Sequence, residues 1–504
     1  MADTGSSKAD RKVYTVLALL TITVLGAFLR LWDLGAKSFW SDELISLCSA
    51  DAIQNARTFL TPSCGNAHPP LYFLLVKIWA SFGQGEVYLR LLPVTFGVAA
   101  IPAVFLLTNE LLGRKVAILT AFLVAVSPFH LLYDRELRMY SLLTFLTLLS
   151  LYFFVRALRS GRSFYWFMYT LLSALNVFVH YHAFLVLLFE WAYFFIRYPI
   201  YRHLRAKAIA SQFVVGFIFI FWLPGLLFQI QHPELFTLDH PDKFPIVIAG
   251  WLVKPLYLLF AFSLGQTILP WNVVAIVGAL VFGAVAVLGT RRLRGENDVF
   301  MFVLLYLSLP FIAGSLIFSS MPKYYLFLAP VYYLVIAKGL ISIPKLRAQA
   351  VVLSVLLFPV VVSLTNYFSN REFHILAQVD PWRGVGKYIR ENVRTGDCLV
   401  AIGSGITLSY YTNNFRGFAR PIYGDYFKDS VRCLEAGAGR RLWLVGADSG
   451  LQKVMEQAQS WFDGRYVRMG ERKFFHDPDR LMKSKVFKKN FLDYRIKVYL
   501  YEKK

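Results

Sequence analysis

Residues 14–31 read YTVLALLTITVLGAFLRL, and nine residues later comes Trp40-Ser41-Asp42-Glu43. A largely apolar run of this length is close to the roughly 20 residues that cross a bilayer as a helix. Lys8, Arg11 and Lys12 precede it. The run exceeds the ordinary apolar core of a cleavable leader, about 7–15 residues, and has no small-x-small exit, so it reads as a retained anchor. Two carboxylates directly beyond such a span are costly to hold near hydrocarbon, and a juxtamembrane ionisable group is a functional candidate by default.

The same pattern recurs through most of the 504 residues, of which 57% are hydrophobic. Mean hydropathy is +0.51. Eleven spans are expected, at 14–31, 88–111, 116–133, 139–157, 165–182, 183–200, 208–228, 272–290, 299–318, 325–343 and 349–368. Residues 69–82 are too short to cross, and 246–265 are interrupted by Lys254-Pro255. Both read as helices lying along the outer interface. The chain therefore reads as an α-helical polytopic membrane protein of about 11 transmembrane helices. Aromatic residues make up 17% of it, which suits interfacial belts in contact with membrane lipids.

The net charge of +22 follows from topology. Arg114 and Lys115, then Arg156, Arg159 and Arg162, then Arg202, Arg205 and Lys207, then Arg291, Arg292 and Arg294, then Lys345 and Arg347 fall in every second loop. Cationic loops mark the cytoplasmic side. No basic groove motif accompanies the charge, so no nucleic-acid partner is expected. The N-terminus is placed in the cytoplasm and the C-terminus outside.

Beyond about residue 369 the apolar runs stop, dividing the chain into a membrane domain, 1–368, and an external α/β domain, 369–504. Helices are expected over 381–393 and 449–462. Buried strands are expected at 399–402 and 442–445, and an edge strand at 491–502. Cys48 and Cys64 fall in the first external loop, Cys398 and Cys433 in the terminal domain. An oxidising compartment would let both pairs close, although the sequence does not fix the pairing.

The outer ends of the spans collect the polar groups. These are Asp42 and Glu43, His68-Pro69-Pro70, Glu136 and Arg138 to Tyr140, His180-Tyr181-His182, and Lys323-Tyr324. Each has an ordinary alternative. Ser41 or Asp42 can cap a helix, Arg135, Glu136 and Arg138 can pair at an interface, and Lys323 can snorkel. Their common side makes one cavity the expectation. Carboxylates and histidines nearby leave room for a divalent metal, but no ligand spacing requires a cofactor.

The ordered motifs Arg30-Leu31-Trp32, Trp40-Ser41-Asp42-Glu43, His68-Pro69-Pro70-Leu71-Tyr72, Ser127-Pro128-Phe129-His130, Glu136-Leu137-Arg138-Met139-Tyr140 and His180-Tyr181 resemble the GT-C membrane glycosyltransferases. The resemblance covers roughly residues 25–345. It is closest to the glycosyltransferase family 39 group, which includes protein O-mannosyltransferases and the lipid A aminoarabinose transferase. It implies transfer of a single sugar, with inversion, from a polyprenyl-phosphate donor to an outer-face glycolipid, polysaccharide or protein acceptor, in a bacterial inner membrane. It also implies Asp42 as base beside Glu43, Glu136 as a further catalytic acidic residue, and His68, Arg138, His180 and Lys323 around the donor phosphate. Tyr140 and Tyr324 would line the substrate site. The family commonly has Arg-Tyr where this chain has Lys323-Tyr324, and Lys cannot fork onto a phosphate. A flippase or transporter of lipid-linked sugars is the competing class. Transporters commonly place ionisable groups at the midplane between inverted repeats, and no repeat is found here.

Overall fold

In a computed structural model, described over residues 8–232, 247–317, 321–394, 397–402, 405–412, 441–447, 452–475 and 495–503, the chain is a helical bundle followed by a small sheet. Among the described residues, eight helices are long and apolar enough to cross a membrane: Asp10–Leu31, Glu86–Leu112, Tyr140–Ser160, Tyr198–Gln231, Val273–Leu293, Asn297–Leu316, Pro322–Ile341 and Leu346–Phe368. A ninth span is broken. Arg114–Val126 and Pro128–Asp134 meet at 57°, where Pro128 follows Ser127. Proline cannot donate into the preceding turn, so the helix ends there and a second one starts. Ser127 caps the new helix by accepting from the His130 N–H at 3.1 Å.

Two of the eleven expected spans are shorter than anticipated. Over 165–200 the helices are Ser163–Val177 and Ala183–Ile196, of 15 and 14 residues. The His182 N–H turns to the His180 Nδ1 at 3.0 Å, and the Leu71 N–H donates to the Phe178 carbonyl, also at 3.0 Å. These bonds divert the backbone into a loop. Residues 71–80 form the short helix Leu71–Ala80, and 247–264 form one helix, Val247–Leu264.

Tyr140–Ser160 and Pro322–Ile341 are the central helices, while Asp10–Leu31 turns Val16, Leu20 and Val24 outward. An apolar face this exposed suits lipid contact. Behind the central helices, Val273–Leu293 packs on Ala329–Ile341 through Gly289 and Gly339. A Cβ on Gly289 would lie 2.1 Å from the Val335 carbonyl oxygen, and one on Gly339 would lie 2.3 Å from that of Val285. Small residues allow this close backbone approach between membrane helices.

The basic loops meet one another at one end of the bundle. Arg114 donates to the Arg11 carbonyl at 2.7 Å, and Arg156 and Arg159 hold Glu110 at 3.1 and 3.0 Å. Lys207 reaches the Gly161 carbonyl at 2.6 Å, Arg197 pairs with Asp298, and Lys338 pairs with Glu296.

Among the described residues, four strands follow the last span: β1 (Cys398–Ile402), β2 (Arg441–Ala447), β3 (Tyr466–Phe475) and β4 (Arg495–Lys503). Their order is β1-β2-β4-β3, with β1 and β2 parallel and the other pairs antiparallel. The strand expected at an edge over 491–502 is therefore interior: β4 pairs on both sides, burying Ile496, Val498 and Tyr501. The edges are β1 and the unanticipated β3, whose charged run YVRMGERKFF hides its strand character. The helices among the described residues are Trp382–Asn392, Gly405–Tyr411 and Gln452–Arg465. Arg383 pairs with Glu86 at 2.6 Å, and Tyr411 Oη accepts from the Phe39 N–H at 2.6 Å, so this region rests on the loop leading to Asp42. Cys433 lies outside the described residues.

Candidate active site at the end of the bundle

The Ser41–Ala52 helix starts at Trp40, with no side-chain cap from Ser41 or Asp42. Instead Glu43 reaches back, accepting from the Trp40 N–H at 3.4 Å. Successive helical residues diverge by about 100° around the axis, so Asp42 and Glu43 face different partners.

Glu43 is fully engaged and 1% exposed. Arg90 forks onto it, Nε to Oε1 at 2.8 Å and Nη2 to Oε2 at 2.6 Å. The Leu137 N–H donates to Oε1 at 3.0 Å. Arg90 also holds the carbonyls of Leu34, Lys37 and Ser38. Glu43 thus ties three segments together.

Asp42 faces two cations. Lys323 Nζ lies 3.0 Å from Asp42 Oδ2. Arg138 Nη1 donates to the Asp42 carbonyl and to Ser46 Oγ, both at 3.1 Å. Burial acts to raise the Asp42 pKa, but Lys323 and Arg138 outweigh it and hold the carboxyl below its usual value. Lys323 is placed by the 3-10 segment Pro322–Leu328, which starts with the helix-compatible Pro322 and runs into Ala329–Ile341. Its ammonium also stands 5.7 Å from the Trp40 ring and 5.2 Å from that of Tyr324.

Glu136 lies on the far side of this group. Its Oε1 accepts from Gln378 Nε2 at 2.6 Å, and its Oε2 is buried without a hydrogen-bond partner. Burial first, then the charges of Glu43 and Asp42, push its pKa well above the usual glutamate value, which favours the protonated form.

His68, His180, Tyr140 and Tyr324 form the aromatic wall. The His68 and His180 rings are 4.5 Å apart, His180 and Tyr324 5.5 Å, and Tyr140 and Tyr324 6.0 Å. Burial first, then Arg138 and Lys323, push His68 well below its ordinary pKa, so it is neutral at pH 7. His68 Nδ1 and His180 Nε2 are buried without hydrogen-bond partners. The nine candidate residues named from the sequence thus meet in one region. Among the described residues, no group of three His, Cys, Asp or Glu side chains is placed to hold a metal ion.

Several supporting residues escaped the sequence reading. Arg90 and Gln378 are two. Gln229 and Asn66 are others: Gln229 Nε2 donates to the Asn66 carbonyl at 3.2 Å, and Asn66 Nδ2 donates to the His68 carbonyl at 3.3 Å. Arg30 and Asp134 anchor the turn behind Glu136, paired at 2.8 Å with both side chains buried. Arg30 also caps the broken helix through the Val124 and Ala125 carbonyls.

A disulfide joins Cys48 of the Ser41–Ala52 helix to Cys64 of the loop carrying His68. Cross-links closing loops of this size stabilise by about 2–4 kcal/mol. Cys48→Ser with Cys64→Ser should lower the unfolding temperature and loosen His68 before Lys323. The check is thermal unfolding with and without reductant, where equal curves for wild type and double variant under oxidising conditions would contradict it.

The fold has counterparts among solved structures. ArnT from Cupriavidus metallidurans in the apo state aligns with a TM-score of 0.59 at 11% identity, over 97% of this chain and 98% of that one. The same protein bound to undecaprenyl phosphate aligns at 0.54 and 10%, over 98% of both chains. The Archaeoglobus fulgidus oligosaccharyltransferase AglB, in complex with an inhibitory peptide and a dolichol-phosphate, aligns at 0.56 and 13%, over 87% of this chain and 70% of that one. The shared architecture is the GT-C glycosyltransferase fold. Residues 67–228 match the family described as Dolichyl-phosphate-mannose-protein mannosyltransferase. No curated protein matches the chain.

Proposed function

We propose that this multi-pass protein is an inverting glycosyltransferase that moves a single sugar from a polyprenyl phosphate to an acceptor on the outer face of a bacterial inner membrane. The N-terminus would then be cytoplasmic and the 369–504 region outside. The observation that carries the proposal is the Asp42 carboxylate, kept ionised beside Lys323 and Arg138 at one end of a GT-C bundle. The two polyprenyl-phosphate complexes among the similar structures support the donor class.

The chemistry is a single displacement. The acceptor hydroxyl or amine attacks the anomeric carbon from the face opposite the phosphate, forming the new glycosidic bond. Its proton passes to Asp42. The bond from the anomeric carbon to the phosphate oxygen breaks, and the polyprenyl phosphate leaves with the electron pair. Lys323 and Arg138 hold the charge that grows there, the kind of fixed electrostatic support that weighs most in such reactions. Neutral His68 and His180 offer ring nitrogens to the phosphate or sugar. Tyr140 and Tyr324 give the sugar an aromatic floor. Protonated Glu136 donates to a substrate hydroxyl, and Glu43 positions the loops rather than moving a proton. No divalent metal is assigned to any step.

Mass spectrometry of surface glycans, glycolipids and proteins, with and without this protein, tests the proposal. Loss of one sugar residue of defined mass is expected, and identical profiles would refute it.

The Asp42–Lys323 pair also sets a pH dependence. A general base must be ionised, and Lys323 keeps Asp42 so below neutrality. In Lys323→Met, burial faces Arg138 alone and the Asp42 pKa rises. The ratio of transfer at about pH 5.5 to that at about pH 8 should therefore fall below the wild-type ratio. Equal ratios in the two proteins would exclude Asp42 as the titrating base.

A further inference from the structure

Behind Glu136 lies a small cleft whose lining includes Lys37, Arg135, Glu136, Tyr367, Phe373 and Gln378. The loop after the first span forms one wall, and the segment after the last span forms the other. Trp40 and Glu43 also border it, so it adjoins the catalytic group without containing Asp42, Arg138 or Lys323.

The charges in this cleft do not cancel. Of its carboxylates, Glu43 is taken by Arg90, and burial pushes Glu136 towards its protonated form. Asp33 is exposed at the rim. That leaves Arg135 and Lys37 beside one exposed carboxylate. Arg135 is 5% exposed, and its Nη2 donates to the Trp32 carbonyl at 2.8 Å. Its Nε and Nη1 are buried with no hydrogen-bond partner. Lys37 lies 3.6 Å above the Tyr367 ring and donates to the Tyr367 carbonyl at 3.2 Å, leaving further ammonium protons. Burial first, then Arg135 and Arg90, push Lys37 well below the usual lysine pKa, as expected of a site short of anions. Buried guanidinium N–H groups without an acceptor cost free energy until one arrives, and each suits an oxygen of a carboxylate or phosphate.

We infer that this cleft binds an anionic group, a carboxylate or phosphate, carried by the acceptor, and so holds the acceptor nucleophile near Asp42. The inference rests on the transferase assignment for the word acceptor, but not for the anion site itself. Phe373 and Gln378, beyond the last span, line the cleft. The donor phosphate has its own cations in Lys323 and Arg138.

The test uses the full chain in lipid nanodiscs saturated with undecaprenyl phosphate, with inorganic phosphate and acetate as probes of thermal unfolding. A saturable rise in Tm is expected for at least one anion, and whichever acts names the group. Arg135→Gln and Lys37→Gln should each weaken the apparent affinity by about tenfold, while Lys323→Met should leave it unchanged. Lys37→Gln serves if Arg135→Gln fails to fold. No rise in the wild type, a rise untouched by both cleft substitutions, or one lost in Lys323→Met would overturn the inference. So would a rise present without undecaprenyl phosphate and abolished by it, because the cleft would then hold the donor's phosphate. If undecaprenyl phosphate itself has no effect on any protein, the transferase assignment fails, and the anion cleft is judged on Arg135 and Lys37 alone.

Discussion

Asp42→Asn should lower sugar transfer by about 10²–10⁴-fold, the span typical of losing a positioned general base, while the protein stays folded and still binds undecaprenyl phosphate. The substitution keeps the side-chain shape and removes the proton acceptor. It also takes from Lys323 its 3.0 Å countercharge, which frees that cation for the donor phosphate. Donor binding should therefore hold or tighten as turnover falls. Transfer rates in purified nanodiscs, set beside donor binding and the unfolding temperature, separate these effects. Full turnover in Asp42→Asn would remove Asp42 from the reaction.

The adjacent carboxylate should behave in the opposite way. Arg90→Met strips Glu43 of both its charged hydrogen bonds and leaves a carboxylate in a site where it is 1% exposed. Removing one partner of a buried pair typically costs about 3–5 kcal/mol. The carbonyls of Leu34, Lys37 and Ser38 lose donors in the same step. The expected result is a protein that unfolds early, with activity lost through instability. Combining Arg90→Met with Glu43→Gln should recover part of the stability, since no stranded charge remains. A double variant no more stable than Arg90→Met alone would show that the pair does not hold these segments.

That split between neighbours marks the limit of what the sequence tells. The motifs brought Asp42, Glu43, His68, Glu136, Arg138, His180 and Lys323 to one region, because the alternation of basic and non-basic loops assigns each span end to a side. They did not separate Asp42 from Glu43, whose partners Lys323 and Arg90 come from distant segments. Arg90 sits inside the apolar run Glu86–Leu112 and looks like any interfacial arginine. Gln378 meets Glu136 across 242 residues, and no local pattern carries such a contact. Span lengths were misjudged for a similar reason. Phe178 to His182 are apolar or aromatic enough to continue a helix, and the bonds that break it run to Leu71 and His180. In the sheet, alternation exposes a strand but not its neighbours, so β4 reads as an edge although it pairs on both sides.

The crossing at Gly289 and Gly339 has a consequence for genetics. Ala329–Ile341 continues directly from the segment bearing Lys323, and its other end is pinned where two backbones touch. Gly339 stands 10 positions, about 15 Å of helix, from Ala329, where the segment bearing Lys323 joins it. Any side chain there must push the helix along or off its axis, and the displacement is passed to that segment. A blind screen for null alleles should therefore recover Gly289 and Gly339 beside Asp42, and a geneticist mapping them would draw the active centre far deeper in the membrane than it is.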